Sequence, residues 1–123
     1  MKYAILCYHA ENVVCAWSKE HDDAVMGKLA VVQERRAKMG QLGPVARLMP
    51  TTAATTVRKD NDPAVVLDGP FAETKEQLLG FFVVDCGSLE EALDFTRELA
   101  EVNPGGAYEV RPIGYFHDWS AGS

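Results

Sequence analysis

The sequence predicts an α+β sandwich: an antiparallel sheet with two helices on one of its faces. Three observations predict it. The opening stretch Lys2–His9 and the Phe81-Phe82-Val83-Val84 run read as strands apolar on both faces. Two other stretches carry helical spacing with caps at their starts. Strands and helices alternate in the order β-α-β, hairpin, β-α-β, the order of a ferredoxin-like fold with an inserted hairpin.

Taken in order, the first strand is Lys2–His9, with Tyr3, Ile5, Cys7 and His9 on one side and Ala4, Leu6 and Tyr8 on the other. Ala10–Trp17 is read as irregular. Ser18 is placed to cap a helix over 19–39, with Glu20, Asp22 and Asp23 near its positive end and Arg35, Arg36 and Lys38 near its negative end. Val25, Leu29, Val32 and Met39 form its expected buried stripe, and Gly40 its stop. Val45–Met49 is a short strand closed by Pro50. Ala54–Lys59 and Ala64–Asp68 flank the turn Asp60-Asn61-Asp62-Pro63 and predict a hairpin. Leu79–Cys86 is the strongest strand signal. Ser88 and Glu91 form a capping box for a second helix whose expected buried face is Leu89, Ala92, Leu93, Thr96 and Leu99. Asn103-Pro104-Gly105-Gly106 ends that helix, Tyr108–Ile113 is the last strand, and the tail 117–123 offers only Trp119 to pack.

The 123 residues are expected to form one domain, 1–123, with no linker or repeat. At 47% hydrophobic and 24% charged, the chain can bury a core without metals or disulfides. A net charge of −6 argues against nucleic acid and anionic membrane surfaces, which attract Lys and Arg. No apolar stretch approaches the ~18 residues of a membrane span. Three cysteines, Cys7, Cys15 and Cys86, without a CxxC pair fit a reducing, cytoplasmic setting. Two helices can cover only one sheet face, yet both faces of the first strand and of the Phe-rich strand are apolar. A second copy of the chain, packed sheet to sheet, is the expected cover.

Between the hairpin and the Phe-rich strand runs Asp68-Gly69-Pro70-Phe71-Ala72-Glu73-Thr74-Lys75-Glu76. With DGPFAETKEQL, Gly80-Phe81-Phe82-Val83-Val84-Asp85, the Thr-Thr-Val-Arg strand and Val110-Arg111-Pro112-Ile113, it resembles the DGPF group of the YCII-related family over nearly the whole chain. The resemblance implies a ferredoxin-like domain that dimerises as an α+β barrel. It also implies a bacterial protein of mostly unassigned role, either a small lyase or dehalogenase-like enzyme or an accessory to sigma-factor-linked regulation. The enzymatic members carry a His within the first helix and an Asp after the second. Here the only nearby histidine is His21 at the helix start, and Asn103-Pro104 follows the second helix. That dyad does not transfer.

The candidate chemistry lies in the charged loop. Asp68, Glu73 and Lys75 are the candidate catalytic groups: neighbouring carboxylates can divide acid and base roles, and an amine beside them can hold an anion. The plain alternative is a solvated turn. Arg111, Glu76, His9 and Tyr8 are the candidate ligand contacts. Arg111 is as well explained by a structural bridge to Glu73 or Asp85, and His9 by an ordinary hydrogen-bonded strand end. Cys7 and Cys86 read as core and Cys15 as the accessible thiol. His9, His21, Asp22 and Cys7 lack metal-ligand spacing, so no metal and no cofactor is expected.

Two functions follow. One is a dimeric protein that binds a small polar or aromatic metabolite, accessory to metabolism or to a sigma-factor-linked regulatory partner. The other is a cofactor-free enzyme that moves protons with the loop carboxylates.

Overall fold

The computed structural model describes residues 1–119. The last residues of the tail expected over 117–123 lie outside the described residues. Strand β1 is Lys2–His9, followed by a one-turn helix α1, Glu11–Val14, where an irregular stretch was expected. Its start is fixed from outside: Gln77 Oε1 accepts the Glu11 N–H at 2.9 Å, and the Glu11 carboxylate accepts the Thr51 N–H at 3.0 Å. Such long-range partners cannot be read from the local sequence. Helix α2 spans Lys19–Lys38, with Ser18 Oγ accepting the His21 N–H at 3.1 Å. Strand β2 (Leu42–Arg47), a 3-10 turn (Thr51–Ala53), the hairpin β3–β4 (Thr55–Arg58, Val65–Asp68), strand β5 (Gln77–Asp85), helix α3 (Leu89–Val102) and strand β6 (Ala107–Pro112) complete the order.

The main sheet runs β2-β5-β1-β6, with every neighbouring pair antiparallel, and β3–β4 forms a second, two-stranded sheet. This is the ferredoxin-like α+β arrangement with the hairpin inserted before β5. Tyr3 pairs with Val84 and Ile5 with Phe82, and these four side chains are buried with both helices in one core. Ala4 pairs with Val83 and Leu6 with Phe81 on the opposite face, where all four are only half-buried. The tail turns back beside this face, with Lys2 Nζ 5.2 Å from the centre of the Phe116 ring.

Two helical stripes differ from expectation. In α2 the buried positions are Val25, Leu29, Val32 and Arg36, while Met39 is 57% exposed at the helix end. Arg36 stays buried because its guanidinium is partnered: it stacks 5.1 Å from the Phe95 ring centre, bonds Gln41 Oε1 at 2.9 Å and pairs with Glu98. In α3 the face is Ala92, Phe95, Thr96 and Leu99; Leu89 is 49% exposed. Phe95 is fully buried and replaces Leu89 and Leu93 as the anchor of that helix. Ser88 caps α3, accepting the Glu91 N–H at 3.2 Å, and Glu91 reaches back to the Gly87 N–H at 2.8 Å, one residue before the cap.

Candidate functional site

Alternation along β1 sends Tyr3, Ile5, Cys7 and His9 toward the helices, but the core ends at Ile5. Beyond it α2 and the sheet diverge over a cavity of about 100 Å³. The β1–β5 register shifts between Cys7 and Tyr8, and the nearby Gly80 is needed because a Cβ there would lie 2.4 Å from the Ala46 carbonyl oxygen. The walls are mostly apolar, including Val25, Leu29 and Phe82; among the polar side chains that line it are Cys7, His9, Gln33, Asn103 and Tyr108, with the Asp22 and Arg47 pair.

His9 is held on two sides. Behind it is the Gly105-Gly106 turn, with φ of 79° and 73°; a Cβ on Gly105 would meet His9 Nε2 at 2.5 Å. Beside it stands Trp17, whose ring meets His9 edge-to-face at 6.3 Å and His21 at 4.6 Å. The His9 Nδ1 atom is buried and has no hydrogen-bond partner among the described residues.

Several of the other polar groups bond to one another. Asn103 Nδ2 donates to the Tyr108 hydroxyl at 2.7 Å and lies 3.9 Å from Cys7 Sγ. Burial pushes the Tyr108 hydroxyl up to about 12 and raises the Cys7 thiol, so both keep their protons at neutral pH. Arg47 on β2 binds Asp22 of α2 through both guanidinium nitrogens, at 2.9 and 3.2 Å. This hydrogen-bonded pair holds the Asp22 carboxyl below its ordinary range. The two side chains form part of the wall between the cavity and an outer cleft of about 300 Å³.

The charged loop lies elsewhere. Asp68, Glu73, Lys75 and Glu76 are all exposed. The Asp68 carboxylate accepts no backbone N–H among the described residues. The bonds run through Gly69, whose N–H donates to the Ala54 carbonyl and whose carbonyl accepts the Thr56 hydroxyl, each at 2.7 Å. Glu73 borders a surface depression of about 370 Å³ with Thr51, Thr52 and Gln77; Asp68, Lys75 and Glu76 do not line it. Arg111 pairs with Glu109 of its own strand at 2.8 Å, not with Glu73 or Asp85. Asp85 instead takes Lys2 at 3.1 Å. Arg111 lies beside Ala4, on the side of β1 that carries Tyr8 and away from the helices.

The structure therefore brings His9 to the cavity between α2 and the sheet, sets Glu73 at a separate depression, and leaves Tyr8 and Arg111 on the sheet face away from the helices. Among the described residues, no three His, Cys, Asp or Glu side chains are placed to share a metal ion. Trp17, Arg47, Asn103 and Tyr108 were not singled out in the sequence. Each reads locally as a loop aromatic, a strand cation, a helix breaker or a strand aromatic, and no spacing links them.

Residues 1–117 match the family model of the YCII-related domain. An uncharacterised protein of Rhizobium meliloti (strain 1021) is 58% identical over 117 residues, covering 94% of each chain. No helix among the described residues is long and apolar enough to cross a membrane. With the matched family extending over nearly all of the sequence, the chain belongs to the YCII-related family.

Proposed function

We propose that this protein is a homodimer that binds a small metabolite in the cavity between α2 and the sheet, with His9 as the polar anchor. The observation that carries this reading is the cavity itself, a mostly apolar concavity that His9 lines, held between the Gly105-Gly106 turn and Trp17. Support also comes from the surroundings: a concave, mainly apolar site with few polar groups is the usual form of a small-molecule pocket. The half-buried face of Ala4, Leu6, Phe81 and Val83 supports the homodimer, since it offers a second copy an apolar surface.

A thermal-shift screen of small carboxylates, alcohols and aromatics tests the reading. A ligand at ~100 Kd adds about 2.7 kcal/mol of stability. The response should disappear in His9→Leu and survive in Glu73→Ala. The reverse pattern would move the site to the depression at Glu73 and favour proton transfer by the loop carboxylates. No response from any compound would remove the binding reading.

A further inference from the structure

The sheet edges of this chain are not all alike. The main sheet ends in β2 and β6. Strand β2 contains Pro44, and β6 ends in Pro112 after Glu109 and Arg111. Proline and charge along an edge turn away a further strand. The hairpin edge lacks these devices. Strand β4 reads Val65-Val66-Leu67-Asp68, with no proline and no cation, and its whole length is exposed. It pairs with β3 on one side, and no strand among the described residues lies on the other.

The hairpin ladder decides which groups that edge presents. Antiparallel neighbours alternate between residues that exchange both backbone bonds and residues that exchange none. The Gly69 N–H donates to the Ala54 carbonyl at 2.7 Å, and Asp68 stands opposite Thr55. By that alternation Leu67 bonds Thr56 and Val65 bonds Arg58, while Val66 and Asp68 turn their N–H and C=O groups outward. Two copies of β4 related by a two-fold axis meet antiparallel. An axis at Val66 sets Val66 against itself, Val65 against Leu67 and Asp68 against Ala64, so outward groups meet outward groups. An axis at Leu67 would bring Ala64 against Pro70, which has no N–H.

The side chains agree with this register. Val57 stands opposite Val66 on one face, and both are exposed. Joined at the axis, two hairpins set four valines in one row across four strands, the kind of β-branched cross-strand contact that stabilises a sheet. Two residues along that face, with the β3–β4 register continued by one residue, Asp68 comes into line with Ala64 and Lys59 of the second copy. Neither Asp68 nor Lys59 has an ion-pair partner among the described residues.

We propose that the outer edge of β4 docks β4 of a second copy across a two-fold axis at Val66, forming a four-stranded antiparallel sheet. About five residues a side take part, against the roughly 20–30 of a standard interface, so the contact is weak and forms well above micromolar concentration. It depends neither on the cavity reading nor on the sheet-face homodimer.

Light scattering on the full chain between ~10 μM and ~1 mM tests the proposal. The mean mass should rise about 1.5-fold or more, in the wild type and in Leu6→Glu alike. Val66→Pro removes the outward N–H at the axis and leaves the bonds of Val65 and Leu67 in place. It should weaken the association at least about tenfold, the margin of the two bonds lost there. Val66→Lys, which sets two ammonium groups against each other at the axis, should do the same without constraining the backbone. In the wild type the amide proton resonances of Val66 and Asp68 should move downfield as concentration rises, while those of Thr55 and Val57, on the other edge of the hairpin, stay in place. A mass that stays constant up to ~1 mM would overturn the proposal. So would a rise that either variant leaves intact, or a rise during which the Val66 and Asp68 resonances do not move.

Discussion

Arg47 holds Asp22 through two hydrogen bonds, of 2.9 and 3.2 Å, and so ties the start of α2 to the end of β2. Asp22 has its pKa lowered by this pair, so it binds protons less readily folded than unfolded. Its contribution to stability is present above the unfolded carboxylate value and is lost as pH falls through the lowered folded value. The melting-temperature difference between the wild type and Asp22→Asn should therefore be largest at neutral pH and fade on acidification. The pair is half-exposed, so the difference should stay within about 1 kcal/mol and shrink in high salt. A gap that persists unchanged in acid would show that the pair's charge does not matter.

The three cysteines should label in a fixed order. Cys15 is exposed, Cys7 half-buried and Cys86 buried, and burial raises the thiol pKa of both Cys7 and Cys86. A thiol reagent applied to the native protein should modify Cys15 first, Cys7 more slowly and Cys86 last. Mass spectrometry of the digested protein at successive times gives the order.

Gly106→Ala should be the most damaging single-methyl addition at the cavity. Gly106 has φ of 73°, and a Cβ there would lie 2.2 Å from the Tyr8 carbonyl oxygen and 3.0 Å from His9 Cδ2. Left-handed backbone alone costs an alanine about 1–2 kcal/mol, and the clash adds to it. Urea denaturation should show a loss above about 2 kcal/mol, together with loss of any ligand response tied to His9.

Asp68→Ala and Glu73→Ala should both be nearly neutral for folding, within about 0.5 kcal/mol. Both carboxylates are exposed, and the turn is held by the backbone of Gly69. A large loss at Asp68 alone would mean that its carboxylate holds the turn after all.

Light scattering at micromolar concentration should give twice the 13.5 kDa of one chain. Leu6→Glu, placed on the uncovered sheet face opposite Phe81, should shift the species to the monomer. A wild-type mass of one chain would remove the homodimer from the proposed function.

The fold was legible where local pattern and burial agree. Lys2–His9 forms one strand whose burial alternates from Lys2 to Ile5, Ser18 and Ser88 sit at true helix starts, and Gly40 stops α2 in the left-handed region. Pattern misled where polar or distant partners decide burial. Arg36 displaced Met39 from the α2 stripe because Phe95, Gln41 and Glu98 receive its guanidinium. The cavity was the least legible part. His9 could be singled out as a titratable group, but its neighbours Trp17, Asn103 and Tyr108 lie 8 to 99 positions away in the chain and become neighbours only when the sheet and helices assemble. The charged loop drew attention because its residues are adjacent in sequence, which is the property the cavity lacks.

The hairpin β3–β4 forms its ladder only with itself, outside the main sheet, and Val57 and Val66 on it are exposed. Two short strands alone are marginally stable in water. The chain should therefore behave as two cooperative units with unequal lifetimes. Amide protons of 55–58 and 65–68 should exchange with solvent through frequent local opening, while those of β1 and β5 should wait for the whole molecule to unfold. The depression at Glu73 borders the short-lived unit and the His9 cavity belongs to the long-lived one, so amide exchange tells the two apart before any ligand is known.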